Sequence, residues 1–192
     1  TTHWGEGFGH FAATDWYSTG LNNLHRTLES FSYRKTDQGV EIEIRDIQTM
    51  ARLSDGFQNQ YIYTINAEGE LTIKHTVIPA GDMPAWLPRV GTEWILDKSL
   101  DQVQWYGRGP QENYPDRKSG YKIGKYASTV ENMVEPYLIP QDYGLRSDNT
   151  WVRMLDKEGT GLEFSGDLLF NFSAWPYSVD NLTKALYTYQ LK

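Results

Sequence analysis

Apolar and polar side chains alternate with a period of two along most of this chain. Val40, Ile42 and Ile44 alternate with Glu41, Glu43 and Arg45, as in a strand buried on one face. Residues 61–65 and 71–77 carry the same signal on either side of Asn66, Ala67, Glu68 and Gly69, which predicts a hairpin. A second hairpin is predicted where residues 151–155 and 161–164 flank Asp156, Lys157, Glu158 and Gly159. Residues 168–172 read as a further strand, dominated by apolar side chains. Only residues 178–186 have helical spacing. Ser178 is placed to cap that helix, Asp180 suits its first turn, and Val179, Leu182 and Leu186 share a face. Residues 78–89, with Pro79, Gly81, Pro84 and Pro88, read as an irregular loop. Strands at this density predict an all-β fold, an antiparallel β-sandwich or barrel, with one short helix near the C-terminus.

One strand runs into an unusual loop. Val103 and Trp105 face one way and Gln104 and Tyr106 the other, and Gly107 with Gly109 and Pro110 is expected to end the strand. Gln111, Glu112, Asn113, Tyr114, Asp116 and Arg117 then follow within seven residues. Carboxylates, amides, a phenol and a guanidinium this close together predict a packed polar network. Its expected members are Arg108, Gln111, Glu112, Asp116 and Arg117, with Arg117 pairing with a carboxylate.

Composition narrows the possibilities. A chain of 192 residues is expected to form one domain and to bury roughly 70% of its unfolded surface. The hydrophobic share is only 39%, but 7 Trp, 13 Tyr and 7 Phe supply large apolar area per residue. A net charge of −7 and no long basic run argue against nucleic acid or an anionic membrane as partner. No apolar stretch approaches membrane-spanning length. The absence of cysteine excludes disulfides and thiol chemistry but leaves the compartment open. No internal repeat is present.

Candidate chemistry is sparse. Glycoside hydrolysis needs two carboxyl groups, about 5–5.5 Å apart for retention and about 6.5–9.5 Å for inversion. Glu112, Asp116 and Asp142 are the candidates, but Arg108 and Arg117 would hold nearby carboxylates ionised, the wrong state for a general acid. No catalytic residue is therefore assigned. Epimerase chemistry needs a histidine with a carboxylate. His75 alternates with Leu71, Ile73 and Val77 and reads as structural, His25 falls in a loop or turn, and His3 and His10 lie in an aperiodic N-terminal stretch. No spacing matches a metal-ligand set, and no cofactor is expected. Sugar contact would draw on Trp105, Tyr106, Tyr114, Trp151 and Trp175 with Asn113, Arg117 and Arg146, although Trp105 and Trp151 are expected in the core. Trp86 and Trp175, each beside a proline, are expected at exposed or interface positions.

The run G-R-G-P-Q-E-N-Y-P-D-R at residues 107–117 resembles a signature of the C-terminal sandwich domain, or small chain, of the large bacterial β-galactosidases of glycoside hydrolase family 2. Three further segments agree in order. Trp16, Gly20, Leu21 and Leu24 match W-x-x-x-G-L-x-x-L; residues 136–146 match P-Y-x-x-P-Q-E-x-G-x-R; and residues 172–178 match F-S-A-x-P-Y-S/T before a short helix. Asp142 stands where that pattern has Glu, one methylene shorter. The resemblance spans roughly residues 16–190. It implies a galactose-mutarotase-like supersandwich whose catalytic glutamates belong to a separate barrel domain, absent here. It also implies that the domain helps wall the active-site mouth for a galactoside and takes part in subunit contacts, including those of a homo-oligomer. Its partner would be the rest of the β-galactosidase chain, in the bacterial cytoplasm or periplasm. Residues 1–192 are then expected to be one incomplete domain, consistent with an abrupt start and a helix close to the end. Sugar contacts are expected at Asn113, Tyr114, Arg117, Arg146 and Trp175. The alternatives are a stand-alone carbohydrate-binding module, an aldose 1-epimerase-like protein, or a purely structural domain.

Overall fold

The protein is described by a computed structural model covering residues 12–52 and 54–191. The stretch from Thr1 to His10, with His3 and His10, lies outside the described residues. The chain divides into two compact units, Thr1–Thr92 and Glu93–Lys192, and each contains one antiparallel sheet of four strands. The all-β antiparallel class read from the alternation is the class observed.

In the first unit a helix, α1 (Ala12–Thr19), precedes β1 (His25–Thr36), β2 (Gly39–Thr49), β3 (Gly56–Asn66) and β4 (Leu71–Ala80), and the strands pair in the order β1-β2-β3-β4. Helix α1 corrects the expectation of a single helix near the C-terminus. Its stop signal is nevertheless in the sequence. Gly20 takes a left-handed φ of 82°, its N–H donates to the Tyr17 carbonyl at 3.2 Å, and the Leu21 N–H donates to the Trp16 carbonyl at 2.9 Å. This bond pair is a Schellman cap, which recurs with glycine at the left-handed position and apolar residues on either side.

His25, expected in a loop or turn, begins β1 instead. The strand is hard to see because its register slips between Leu28 and Ser30. Leu28 lies opposite Asp46, Phe31 opposite Ile44 and Tyr33 opposite Ile42, so the bulge keeps all three on one face despite uneven spacing. That face continues through Tyr61 and Tyr63 of β3 and Ile73 and His75 of β4. The opposite face is polar, with Arg34–Glu41 and Arg45–Glu43 ion pairs at 2.8 Å each.

One charge is buried in this sheet. Asp46 has no exposed surface and accepts from Arg26 Nε at 2.5 Å and Asn59 Nδ2 at 2.9 Å. With its amide nitrogen committed to Asp46, Asn59 offers Oδ1 to His75 Nε2 at 3.1 Å. The His75 ring stacks on Tyr61 with centroids 4.1 Å apart, and burial holds its pKa below the ordinary value. This is a structural histidine.

In the second unit β5 (Gln102–Gly109), β6 (Lys122–Thr129), β7 (Arg146–Leu155) and β8 (Gly161–Phe172) pair in the order β6-β5-β7-β8, and α2 (Val179–Lys184) follows. Residues 161–164 and 168–172 are one strand, not two. Ser178 caps α2 by accepting the Asn181 N–H at 3.1 Å, and the helix ends at Lys184, short of residue 186. Val103, Trp105, Met133, Val152 and Ala174 form the core, with Tyr126, Phe164, Phe170 and Phe172 packed against them. Trp105 is wholly buried, 5.5 Å from the Tyr126 ring and 5.9 Å from that of Phe172.

Trp151, expected in the core, is not there. It pairs in register with Tyr106, not Trp105, so strand parity turns it to the opposite face. It is half-buried, with the Arg153 guanidinium 4.9 Å over its ring. Trp86 is 68% exposed, as its proline neighbour suggested. Because the strands are antiparallel, β5 and β8 end where β6 and β7 begin, and the loops at that end are brought together.

Trp105→Ala is expected to destabilise the fold by about 3–5 kcal/mol, the cost of emptying an aromatic core site. Trp151→Ala should cost no more than about 1 kcal/mol. Denaturant unfolding of the two variants measures both, and equal losses would contradict the register described.

Candidate functional site

Residues 110–121, between β5 and β6, and residues 134–145, before β7, meet at this end of the sheet. Gly107 does not end β5. It pairs with Gly124, and the strand continues to Gly109. A Cβ at Gly107 would collide with the Asn149 side chain, and one at Gly109 would come within 2.8 Å of the Tyr126 ring. These glycines let the buried Asn149 and the half-buried Tyr126 press against the strand, a role the residue type alone does not distinguish from a turn. The Gly109–Pro110 peptide is cis.

Asn113 anchors the first loop to β7. It is fully buried, and its N–H donates to the Leu145 carbonyl at 2.8 Å. Its Oδ1 accepts the Ser147 N–H at 3.0 Å, and its Nδ2 donates to the Gln111 and Arg108 carbonyls at 3.1 and 3.3 Å.

Glu112 is the centre of the site, only 6% exposed. Its Oε1 accepts from the Tyr137 hydroxyl and from Arg117 Nη2 at 2.9 Å. Its Oε2 accepts from the Gly144 N–H at 2.8 Å and the Tyr114 hydroxyl at 3.3 Å. A carboxylate has about four lone-pair directions, two on each oxygen, and every one is occupied here. Burial works to raise its pKa, but the bonds from Tyr137, Gly144 and Arg117 outweigh it and hold the group below the ordinary carboxyl value. The phenols respond in the opposite sense. Tyr137 is pushed up by its bond to Glu112, and Tyr114 by burial and then by the Glu112 charge.

A second anion staples the same loop. Asp148 sits in the irregular start of β7 with a left-handed φ of 56°, a conformation Asp tolerates better than most residues. It accepts from Lys118 Nζ and Arg108 Nε at 2.6 Å each, and these bonds, Lys118 first, hold its pKa down. Arg108 Nη1 also donates to the Tyr121 carbonyl at 2.8 Å, closing the loop on itself. Beneath lies Arg146, 3% exposed, its Nε on the Pro110 carbonyl at 3.0 Å and its Nη1 on the Gly144 carbonyl at 2.8 Å. Its guanidinium is 5.6 Å from the Trp105 ring centroid, so the site is joined directly to the core.

The residues singled out in sequence therefore separate into groups. Glu112 and Arg117 come together as expected. Arg108 joins a different carboxylate, Asp148. Gln111 contributes its backbone carbonyl, and Asp116 is exposed with no hydrogen bond or ion pair to the described residues. Asp142 is exposed, and its charge acts on Tyr114. Of the residues expected to meet sugar, Asn113 and Arg146 are buried, whereas Tyr114 and Trp175 are half-buried and Arg117 is open. Trp175 donates its Nε1 to the Tyr143 carbonyl at 2.7 Å. Tyr143 is itself buried, which pushes its phenol up to about 12. Tyr137, Gly144, Lys118 and Asp148 join the site without any signal in their residue types, although Tyr137 and Gly144 belong to the resembling segment at residues 136–146. Among the described residues no group of three His, Asp or Glu side chains is placed to hold a metal ion.

The geometry gives a setting for comparison with other proteins. Residues 6–192 match the family model described as the beta galactosidase small chain. The chain is 30% identical over 178 residues to a beta-galactosidase of Priestia megaterium, covering 88% of this chain and 17% of that protein. It is 30% identical over 176 residues to a beta-galactosidase of Vibrio cholerae, covering 92% and 16%. It is 39% identical over 175 residues to one of Psychromonas ingrahamii, covering 90% and 16%. The chain thus spans about one sixth of the length of these curated relatives.

Glu112→Gln places an amide donor among four donors and is expected to destabilise the unit by about 3 kcal/mol. The pH dependence has a definite sign. A carboxyl group whose folded pKa is lowered contributes stability above its ordinary value of 4.5, lost as pH falls through the folded value. His75, also lowered, contributes above its ordinary 6.5 and loses its contribution below it. Glu112→Gln should therefore make the fall in stability below about pH 4.5 shallower, with the part due to Asp148 remaining, and leave the higher limb in place, as read from denaturant midpoints across pH.

Proposed function

We propose a supporting role inside a larger enzyme, because this chain belongs to the β-galactosidase small-chain family. In this reading the parent enzyme hydrolyses terminal β-D-galactosyl bonds, with the chemistry done by carboxylates elsewhere in the polypeptide. The chain braces the scaffold and helps shape the mouth of the active site. Its partners are the remainder of the β-galactosidase chain, the galactoside that the whole enzyme binds, and other copies in a homo-oligomer. The finer placement, a mutarotase-like supersandwich of glycoside hydrolase family 2, rests on the resembling motifs.

The saturation of Glu112 carries the non-catalytic reading. A retaining glycosidase uses one carboxylate as nucleophile and a second carboxyl group as acid and then base. Glu112 has no free lone pair with which to attack, and its donors keep it ionised, so it serves in neither role. The epimerase-like alternative draws no support from His75, whose Nε2 is committed to Asn59.

A second reading adds carbohydrate contact at the rim. The Arg117 guanidinium lies 5.5 Å from the Tyr114 ring centroid with 55% of its side chain exposed, an open cation beside an aromatic ring. Tyr114, Arg117 and Trp175 are the side chains with surface to offer, while Asn113 and Arg146 would act through the loops they hold.

The polypeptide of residues 1–192 is expected to show no hydrolysis of an aryl β-galactoside; turnover that Glu112→Gln abolishes would overturn the supporting role. Titration with galactose or lactose, followed by tryptophan fluorescence, tests the rim. Saturation below about 1 mM, some 4 kcal/mol, that Arg117→Ala removes would establish sugar contact there, and a flat titration would exclude it.

A further inference from the structure

We infer that the free edge of β1 is completed by a strand from the part of the β-galactosidase polypeptide outside these residues. In its sheet β1 has β2 on one side and, among the described residues, no strand on the other. All twelve of its residues are exposed. An open edge of this length offers a row of unpaired N–H and C=O groups, and folded proteins usually blunt such edges with proline, free charges or short length. Strand β1 has no proline, and its remaining charged residues, Glu29 at the bulge and Lys35 near the end, flank the stretch 30–34 and leave it without a charge of its own beyond Arg34. Its Arg26 and Arg34 are turned back onto β2, paired with Asp46 and Glu41. The opposite edge strand, β4, does contain a proline, Pro79, and is better covered along its length.

The side chains say what fits. Leu28, Phe31 and Tyr33 share one face and remain 59%, 58% and 71% exposed. Phe31 ends a cross-strand row through Ile44, Tyr61 and His75, and Tyr33 ends the next row through Ile42, Tyr63 and Ile73. An added strand with apolar residues at alternate positions would extend both rows by one member and cover the rings. The relatives supply the occupant: this chain spans only 16–17% of their length, so most of the polypeptide is available to provide the strand. The inference rests on membership of a larger β-galactosidase and is independent of what Glu112 does. Hydrolysis by residues 1–192 alone would sink the supporting role and leave this edge untouched.

Residue-resolved hydrogen exchange on the full-length β-galactosidase that carries this chain tests it. In an antiparallel edge strand, alternate amides bond the neighbour while the others face outward. A completed β1 should protect consecutive amides from Thr27 to Lys35 by roughly 100-fold or more over loop amides. Exchange of alternate amides at loop rates would overturn the proposal. The source is then read by placing a photoreactive residue at position Ser32 in an equal mixture of light and isotopically heavy protein. Links within one isotope to segments outside residues 1–192 are expected. Light–heavy links would assign the edge to a second copy, and links inside residues 1–192 to this chain itself; either result, or no links, overturns it.

Discussion

A single buried carboxylate holds the candidate site together. Glu112 draws Tyr114 and Arg117 from its own loop and Tyr137 and Gly144 from another, so four donors converge on one anion. Removing an ion from water is costly, and the cost is offset only when its lone pairs are satisfied with good geometry. Here they are, and the consequence is constraint. Neither loop can leave without stranding a buried charge, and the carboxylate can do nothing else while it holds them.

Asp148 repeats the arrangement on a smaller scale, tying Arg108 and Lys118 to the start of β7. Arg146 links both to the hydrophobic core through Trp105 and through the carbonyls of Pro110 and Gly144. In the first unit, Asp46 does similar work across the sheet, with Arg26 on one side and Asn59 leading to His75 on the other. In each case a carboxylate with little or no exposure is matched by donors from separate segments. A catalytic carboxyl group needs the reverse, a lone pair or proton left available to substrate.

Much of this was legible in sequence where the physics is local. Clean alternation marked β2, β3, β4 and β7, and the hairpin loops fell where expected. Strand β1 was hidden because the bulge after Leu28 breaks the period of two on which the signal depends. Helix α1 is short, and its evidence lies in the glycine cap after it, not in apolar spacing. The position of Trp151 required the β5–β7 register, which no single strand contains. At the site, crowding of polar side chains identified Glu112 and Arg117. Tyr137 and Gly144 lie 25 and 32 residues away, and only the fold reveals that the two resembling segments meet at one carboxylate.

The coupling between Glu112 and Tyr137 tests this account most directly. A double-mutant cycle with Glu112→Gln and Tyr137→Phe, read by denaturant unfolding, isolates their interaction from the cost of each change. A coupling of about 1 kcal/mol or more is expected if the anion is what binds the second loop to the first. Additive losses would contradict it, because the loops would then be held by something other than the saturated carboxylate.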